Sequence, residues 1–309
     1  MSATPITARP TNWLTGYIPD LPTPFDPCGR IDLNAFRGLC ERQIAAGVPA
    51  LVVCETAGEA STVSPAEQET ISRTAVDVAR GRLRIIAGAG SNSTSQAIEL
   101  TRRAEAAGAD AILSVVPYYN KPMQSGITAH FRAIADSTHL PLILHDIPAR
   151  TIRELANDTL ARLAESRQFI GLRDGSGDVT RPIRLSGMIP SHFRLLTGDD
   201  ATALAYMANG GDGCISTVCN VVPDVCRMIH ASWRQGRLRT ARDLLRQLAP
   251  LETCLAGNNP AALKLALSLL GFMHPDTRLP IVELDSAAKA ALARIIAGLD
   301  HDQISAVMG

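Results

Sequence analysis

The chain has 309 residues, 46% hydrophobic and 19% charged, with 30 Lys plus Arg set against 30 Asp plus Glu. That balance argues against a nucleic-acid or anionic-membrane partner, and the apolar share is ample for a large buried core. No stretch approaches the ~18 apolar residues of a membrane span, and the N-terminal segment lacks the apolar centre of a signal peptide, so a soluble, cytoplasmic protein is expected.

Seven scattered cysteines without a C-x-x-C pair read as small core residues in a reducing compartment. Lysine is scarce, with only Lys121, Lys264 and Lys289, which leaves few groups for amine catalysis. The histidines show no metal-ligand spacing, and there is no G-x-S-x-G nucleophile elbow. No metal and no cofactor are expected.

Short apolar runs recur along the chain at 17–25, 50–54, 84–89, 111–117, 141–148, 169–173, 194–197 and 213–218. Most are continuous rather than alternating, as in parallel strands covered on both faces. Helical patterns lie between them. Asp32 caps one, with Leu33, Phe36, Leu39 and Ile44 on one side. Ser64-Pro65-Ala66-Glu67 opens another as a capping box with proline in the first turn. Further helical patterns cover 94–107, 125–137, 157–165, 179–188, 200–209 and 222–235.

Eight such units predict a (β/α)8 TIM barrel over residues 1–237. Three more helices, at 238–255, 260–270 and 286–299, form a C-terminal extension over residues 238–309 packed on the barrel. The alternative is an open doubly wound sheet, but G-x-G-x-x-G after the first strand is missing.

Barrel enzymes build their sites at the C-terminal ends of strands. Those ends read Glu55-Thr56-Ala57-Gly58-Glu59, Pro117-Tyr118-Tyr119-Asn120-Lys121-Pro122, His145-Asp146-Ile147-Pro148-Ala149-Arg150-Thr151, Arg173-Asp174, Gly198-Asp199-Asp200 and Ser216-Thr217. The set is polar and holds acid and base candidates. Gly175-Ser176-Gly177 reads as a turn into the next helix rather than a phosphate cradle.

These segments resemble the dihydrodipicolinate synthase / N-acetylneuraminate lyase family, barrel enzymes that bind pyruvate as an imine. The family pattern is G-[TS]-T-G-E, P-Y-Y-N-[KR]-P, [LI]-Y-N-x-P-x-R-T, G-[IL]-K-[DE], G-D-D and G-x-x-G-x-I-S in that order, with a later turn matched by Asn259-Pro260. The likeness covers nearly the whole chain. It implies a lyase or aldolase acting on a small keto acid or related carboxylate, and a homo-oligomer built as a dimer of dimers.

The departures from that pattern are as informative as the matches. Arg173 stands where the resemblance places the imine lysine, and a guanidinium charged to a pKa above ~12 is a poor nucleophile. His145 replaces a proton-relaying tyrosine. Ala57 replaces a hydroxyl residue of the carboxylate pocket, and Glu55 replaces a glycine. Thr56, Tyr119 (contributed across a subunit contact in relatives), Arg150, Asp199 and Ile215 are retained. The expected catalytic set is therefore Arg173, His145, Tyr119 and Thr56, with Ala57, Glu55, Arg150, Ile215 and Asp199 binding substrate, and no imine.

Plainer roles stand beside these. Arg173 is either an anion clamp or the partner of Glu55 or Asp174. His145 is either a general base or bonded to a neighbouring carbonyl. Tyr118 and Tyr119 line the pocket or pack a subunit contact, and Arg150 meets substrate or solvent. Lys121 is not expected to replace the amine, and Lys264 is expected to be structural. Pro65, Gln68 and Gln96 replace residues that some relatives use for feedback by lysine. A silent keto-acid sensor or regulatory subunit is the competing reading.

Overall fold

A computed structural model describes residues 11–258 and 260–299. The Asn259 half of the expected Asn259-Pro260 turn, and the outermost parts of both expected regions, lie outside the described residues. Eight strands run β1 Gly16–Pro19, β2 Ala50–Val53, β3 Arg84–Gly88, β4 Ala111–Val115, β5 Leu142–Asp146, β6 Phe169–Asp174, β7 Arg194–Thr197 and β8 Gly213–Ser216. All neighbours pair in parallel in the order β1-β8-β7-β6-β5-β4-β3-β2. The ring closes between β1 and β2, where Asp20 bridges Val52 and Leu21 N donates to Val52 O at 2.9 Å. This is the expected (β/α)8 TIM barrel.

The helices are α1 Leu33–Ala45, α2 Pro65–Ala79, α3 Thr94–Ala106, α4 Gln124–Ala135, α5 Pro148–Thr151, α6 Asn157–Ala164, α7 Arg181–Leu185, α8 Ala203–Ala208 and α9 Pro223–Arg234, then α10 Leu238–Asn258, α11 Ala261–Leu269 and α12 Ser286–Ala297. Capping follows the sequence. The Asp32 side chain accepts from Asn34 N and Ala35 N, and Ser64 and Glu67 complete the capping box of α2.

Strand β1 is shorter than the apolar run at 17–25, because Pro22 and Pro24 offer no N–H to a ladder. The single turn α5 was not expected. Pro148 begins it, where its missing N–H costs nothing. Among the described residues no helix is long and apolar enough to cross a membrane.

Two apolar layers form. Between sheet and helices lies a continuous core that includes Phe36, Leu51, Ile85, Ile112, Phe131, Leu144 and Leu172. Inside the barrel a second cluster comprises Leu14, Ile18, Ala50, Val52, Ile86, Ala111, Leu113, Ile143, Ile170, Leu196 and Ile215. The two-residue period of a strand separates these sets. Carried one step further toward the C-terminal ends, it places Asp20 beyond Ile18 and His145 beyond Ile143, directly above the apolar plug. The plug fills the barrel as packed core, so the site is confined to its mouth.

The C-terminal helices are tied to the loop after β2. Lys264 of α11 is fully buried and ion-paired with Glu59, with Nζ 3.9 Å from the Phe25 ring centroid and a 2.9 Å bond to Asp276 O. Burial draws its pKa down to about 8. Lys264 thus has the structural role expected of it.

Candidate active site

Four ionisable side chains from four strand ends meet in the barrel mouth. Arg173 Nη1 donates to Asp20 Oδ2 at 2.9 Å and to Glu55 Oε2 at 2.9 Å. Glu55 Oε1 lies 2.8 Å from His145 Nδ1. Relative exposure is 0% for Asp20, 8% for Glu55, 1% for His145 and 5% for Arg173, so the cluster is largely withdrawn from water. In such surroundings each ion survives only by being paired.

Local backbone sets up these contacts. Cys54, which follows β2, is in the left-handed region at φ 56°, an uncommon conformation for a residue with a side chain. The strand breaks there, and Glu55 turns into the mouth. His145 and Arg173 are register partners on adjacent strands β5 and β6. Arg173 then reaches past β7 and β8 to Asp20. Gly198 after β7 makes that passage: a Cβ there would sit 3.3 Å from Arg173 Nε. Glu55 and His145 meet across the ends of β3 and β4. A Cβ on Gly88 of β3 would fall 2.1 Å from Cys54 O, so only glycine fits beside the break that aims Glu55.

Charge states follow from burial and pairing. Burial pushes Glu55 up, but the facing His145 and Arg173, with hydrogen bonds from His145 and Thr56, outweigh it and hold the carboxyl well below its usual range. Burial raises Asp20 to about 6 against the pull of Arg173. Burial lowers His145, with Glu55 opposing and Arg173 assisting. Near neutral pH, His145 is therefore a neutral ring whose Nδ1–H donates to the Glu55 carboxylate. Its Nε2 is buried and has no hydrogen-bond partner.

A cavity of about 510 Å3 opens beside the cluster, lined by Glu55, Thr56, Ser91, Gln96, Tyr118, His145, Ile147, Arg150 and Thr151 among others. The lining contains no lysine. It includes Pro65 and Gln68.

Of the residues singled out in the sequence, Glu55, Thr56, His145 and Arg150 share this cavity. Arg173 does not line it. The guanidinium pairs behind Glu55 rather than facing the cavity, and Asp174 instead binds Arg181 and Tyr206. His145 bonds to a carboxylate and not to a carbonyl. Tyr119 is 90% exposed within one chain, at φ 72°, while Tyr118 lines the cavity.

Ala57 is buried, and its N–H lies 3.4 Å from Asp20 Oδ2. Ile215 belongs to the apolar plug below the mouth. Asp199 orders the loop before α8, accepting from Ala201 N at 3.1 Å and Thr202 Oγ1 at 2.9 Å.

Asp20 is a site residue that the sequence pattern does not single out. Its signal is a lone carboxylate inside the first apolar run, but that run continues to residue 25 and so does not mark the strand end at Pro19.

Glu55 Oε2 gathers three donors: the Thr56 N–H, the Thr56 hydroxyl and Arg173 Nη1. Convergent N–H, O–H and guanidinium donors form a cradle for a carboxylate, and here the chain supplies that carboxylate itself.

A sequence profile described as the Dihydrodipicolinate synthetase family matches residues 13–299. The chain belongs to that family. It is 45% identical over 290 residues to the 4-hydroxy-tetrahydrodipicolinate synthase of Hyphomonas neptunium, covering 92% of this chain and 99% of that one. Identity to the enzyme of the same name from Gluconobacter oxydans is 40% over 291 residues, covering 94% and 98%. Among solved structures, the 4-hydroxy-tetrahydrodipicolinate synthase of Methylacidiphilum fumariolicum SolV superposes with a TM-score of 0.91 at 34% identity, covering 95% and 99%. The chloride-inhibited dihydrodipicolinate synthase of Acinetobacter baumannii, solved with pyruvate, gives 0.88 at 38% identity, covering 92% and 98%. Within this family, the mouth of the present chain is built around a buried Asp–Arg–Glu–His network.

Proposed function

We propose that this family member is a lyase or aldolase that moves a proton on a small 2-keto acid or related carboxylate without forming an imine. One observation carries the reading: His145 lines the cavity with Nδ1 held by the Glu55 carboxylate and Nε2 unpartnered. A carboxylate on one ring nitrogen fixes the tautomer and leaves the other nitrogen as a base.

In the reaction, the C–H bond next to the keto carbon breaks and its proton goes to Nε2. The electron pair moves to the carbonyl oxygen; the resulting enolate carbon then bonds to an aldehyde carbon, and the aldehyde oxygen, left with the electron pair of its broken π bond, takes the proton back from His145. Exposed Arg150 at the rim meets the substrate's anionic group, and Thr56 with Glu55 shapes the floor. Arg173 holds Glu55 in place and supplies no nucleophile.

The pyruvate-bound relative from Acinetobacter baumannii makes pyruvate the first substrate to test. By the same family likeness, the working form is a homo-oligomer, a dimer of dimers, in which the exposed Tyr119 is delivered to a neighbour's mouth.

Exchange of pyruvate methyl protons in D2O, followed by NMR, tests the reading alongside borohydride reduction and intact-mass measurement. Exchange without any mass gain is expected, and His145→Gln should abolish it. A borohydride-trapped adduct overturns the reading.

The filled cradle at Glu55 Oε2 favours a second reading, a catalytically silent keto-acid-binding subunit. Tight pyruvate binding with no exchange would select it.

A further inference from the structure

The geometry points to Asp20 as a positioning residue that supplies, across the barrel mouth, the counter-charge needed for His145 to hold a proton. The inference rests on His145 as the base of the proposed reaction.

Asp20 sits at the seam where β1 meets β2, fully buried, with Oδ2 on Arg173 Nη1 and Oδ1 without a partner. Arg173 Nη1 also serves Glu55, and Glu55 serves His145. The four groups thus form one chain of contacts from β1 through β6 and β2 to β5.

With His145 neutral, the chain carries two carboxylates against one guanidinium and is one positive charge short of neutrality. A proton taken up at Nε2 completes the balance. Buried clusters favour the state in which charges cancel. Without Asp20, Glu55 and Arg173 already cancel, and a proton on His145 would create an unpaired buried cation.

The other groups facing the pair do not supply this charge. Arg150 of α5 and Arg173 of β6 both oppose protonation of His145. Cys54 after β2, pushed up to about 12 by burial, and Cys214 of β8, also raised by burial, remain neutral thiols.

The proton is therefore shared between two ends of the network. When it rests on Asp20, His145 is a free base; when His145 takes one from substrate, Asp20 must be ionised. Two sites linked in this way titrate together in two macroscopic steps.

The test is an NMR pH titration of the His145 ring nitrogens and the Asp20 carboxyl carbon in the full-length protein, with Asp20→Asn as the variant. Asparagine keeps the shape and an acceptor for Arg173, so loss of packing is not what the experiment reads. In Asp20→Asn the His145 midpoint is expected to move down, and pyruvate exchange at neutral pH to fall by ~10-fold. A midpoint that stays put or rises overturns the inference. Should Asp20→Asn not fold, the wild-type curves decide. Shared midpoints at both residues support the coupling, and a single independent step at each refutes it. Loss of exchange in His145→Gln tests the proposed reaction separately, so the two failures can be told apart.

Discussion

Glu55 Oε1 lies 2.8 Å from His145 Nδ1, while its other oxygen takes Arg173 Nη1 at 2.9 Å. Glu55 thus joins His145 and Arg173 into one network. A lone arginine in this mouth would be a buried unpaired cation, and a lone glutamate a buried unpaired anion. Glu55→Gln keeps the size but removes the charge and can present N–H to Nδ1, which favours the wrong tautomer of His145. Pyruvate proton exchange should fall by a factor on the order of 10²–10⁴, as expected for loss of a general base's orientation. An exchange rate within a few-fold of wild type would count against the Glu55–His145 pair as the working unit.

Removing the Glu55 side chain altogether should open the carboxylate cradle. In Glu55→Ala the Thr56 N–H, the Thr56 hydroxyl and Arg173 remain to receive a free anion. Millimolar formate or acetate should raise the thermal midpoint of Glu55→Ala and leave wild type unmoved, as ligand linkage requires. An equal response in both proteins would show that the cradle is not what binds.

Arg173→Lys tests whether an amine at this position is enough for imine formation. A lysine there would lie beside Asp20 and Glu55, and two facing carboxylates favour the protonated ammonium. The single substitution is expected to give little borohydride-trapped pyruvate adduct at pH 7. Combining it with Glu55→Gly removes one anion and empties the cradle, and the adduct should then appear by intact mass. If the single variant traps as much as the double, the carboxylate network does not control the amine.

The sequence made the barrel legible because continuous apolar runs and helix caps recur in register, and because each strand end carries polar residues. It did not make the pairing legible. Arg173 had two candidate carboxylates, Glu55 and Asp174, and strand register decides between them only once Arg181 is seen to take Asp174 at 3.0 Å. Asp20 was hidden because β1 stops at Pro19, well before its apolar run does. Tyr119 could be matched by motif, but its exposure depends on the backbone at φ 72°, which spacing does not reveal. Partners brought together from distant strands follow from barrel closure, not from local pattern.

The pH dependence of stability carries the signature of Asp20. Its folded pKa is about 6 against a reference of 3.8. A raised carboxyl pKa means that the folded state binds the proton more tightly, so the contribution is fully present below the unfolded pKa and is lost as pH rises through about 6. Asp146, also raised to about 6 by burial, acts in the same direction. Glu55 acts oppositely: its depressed pKa adds stability above the usual glutamate range that is lost as pH falls. Four histidines with lowered pKa also act against Asp20 as pH rises, so the signature of Asp20 is a difference: between pH 4 and 7 the stability of Asp20→Asn relative to wild type, read from urea midpoints, should rise with pH. Parallel curves would mean that Asp20 is ionised throughout that window.

Lys264 and Glu59 offer a test of how the C-terminal helices bear on the site. The pair is fully buried and joins α11 to the loop that begins with Glu55 and Thr56. Lys264→Met fills much of the space and keeps the packing against Phe25, but strands the Glu59 carboxylate without its cation. Breaking one side of a buried pair costs about 3–5 kcal/mol, and the change should also loosen the β2 loop. Lys264→Met combined with Glu59→Gln should recover most of the lost stability, because no uncompensated charge remains. Chemical denaturation of the two variants measures this. If the double variant is as unstable as the single one, the helices are held by packing and the ion pair is incidental.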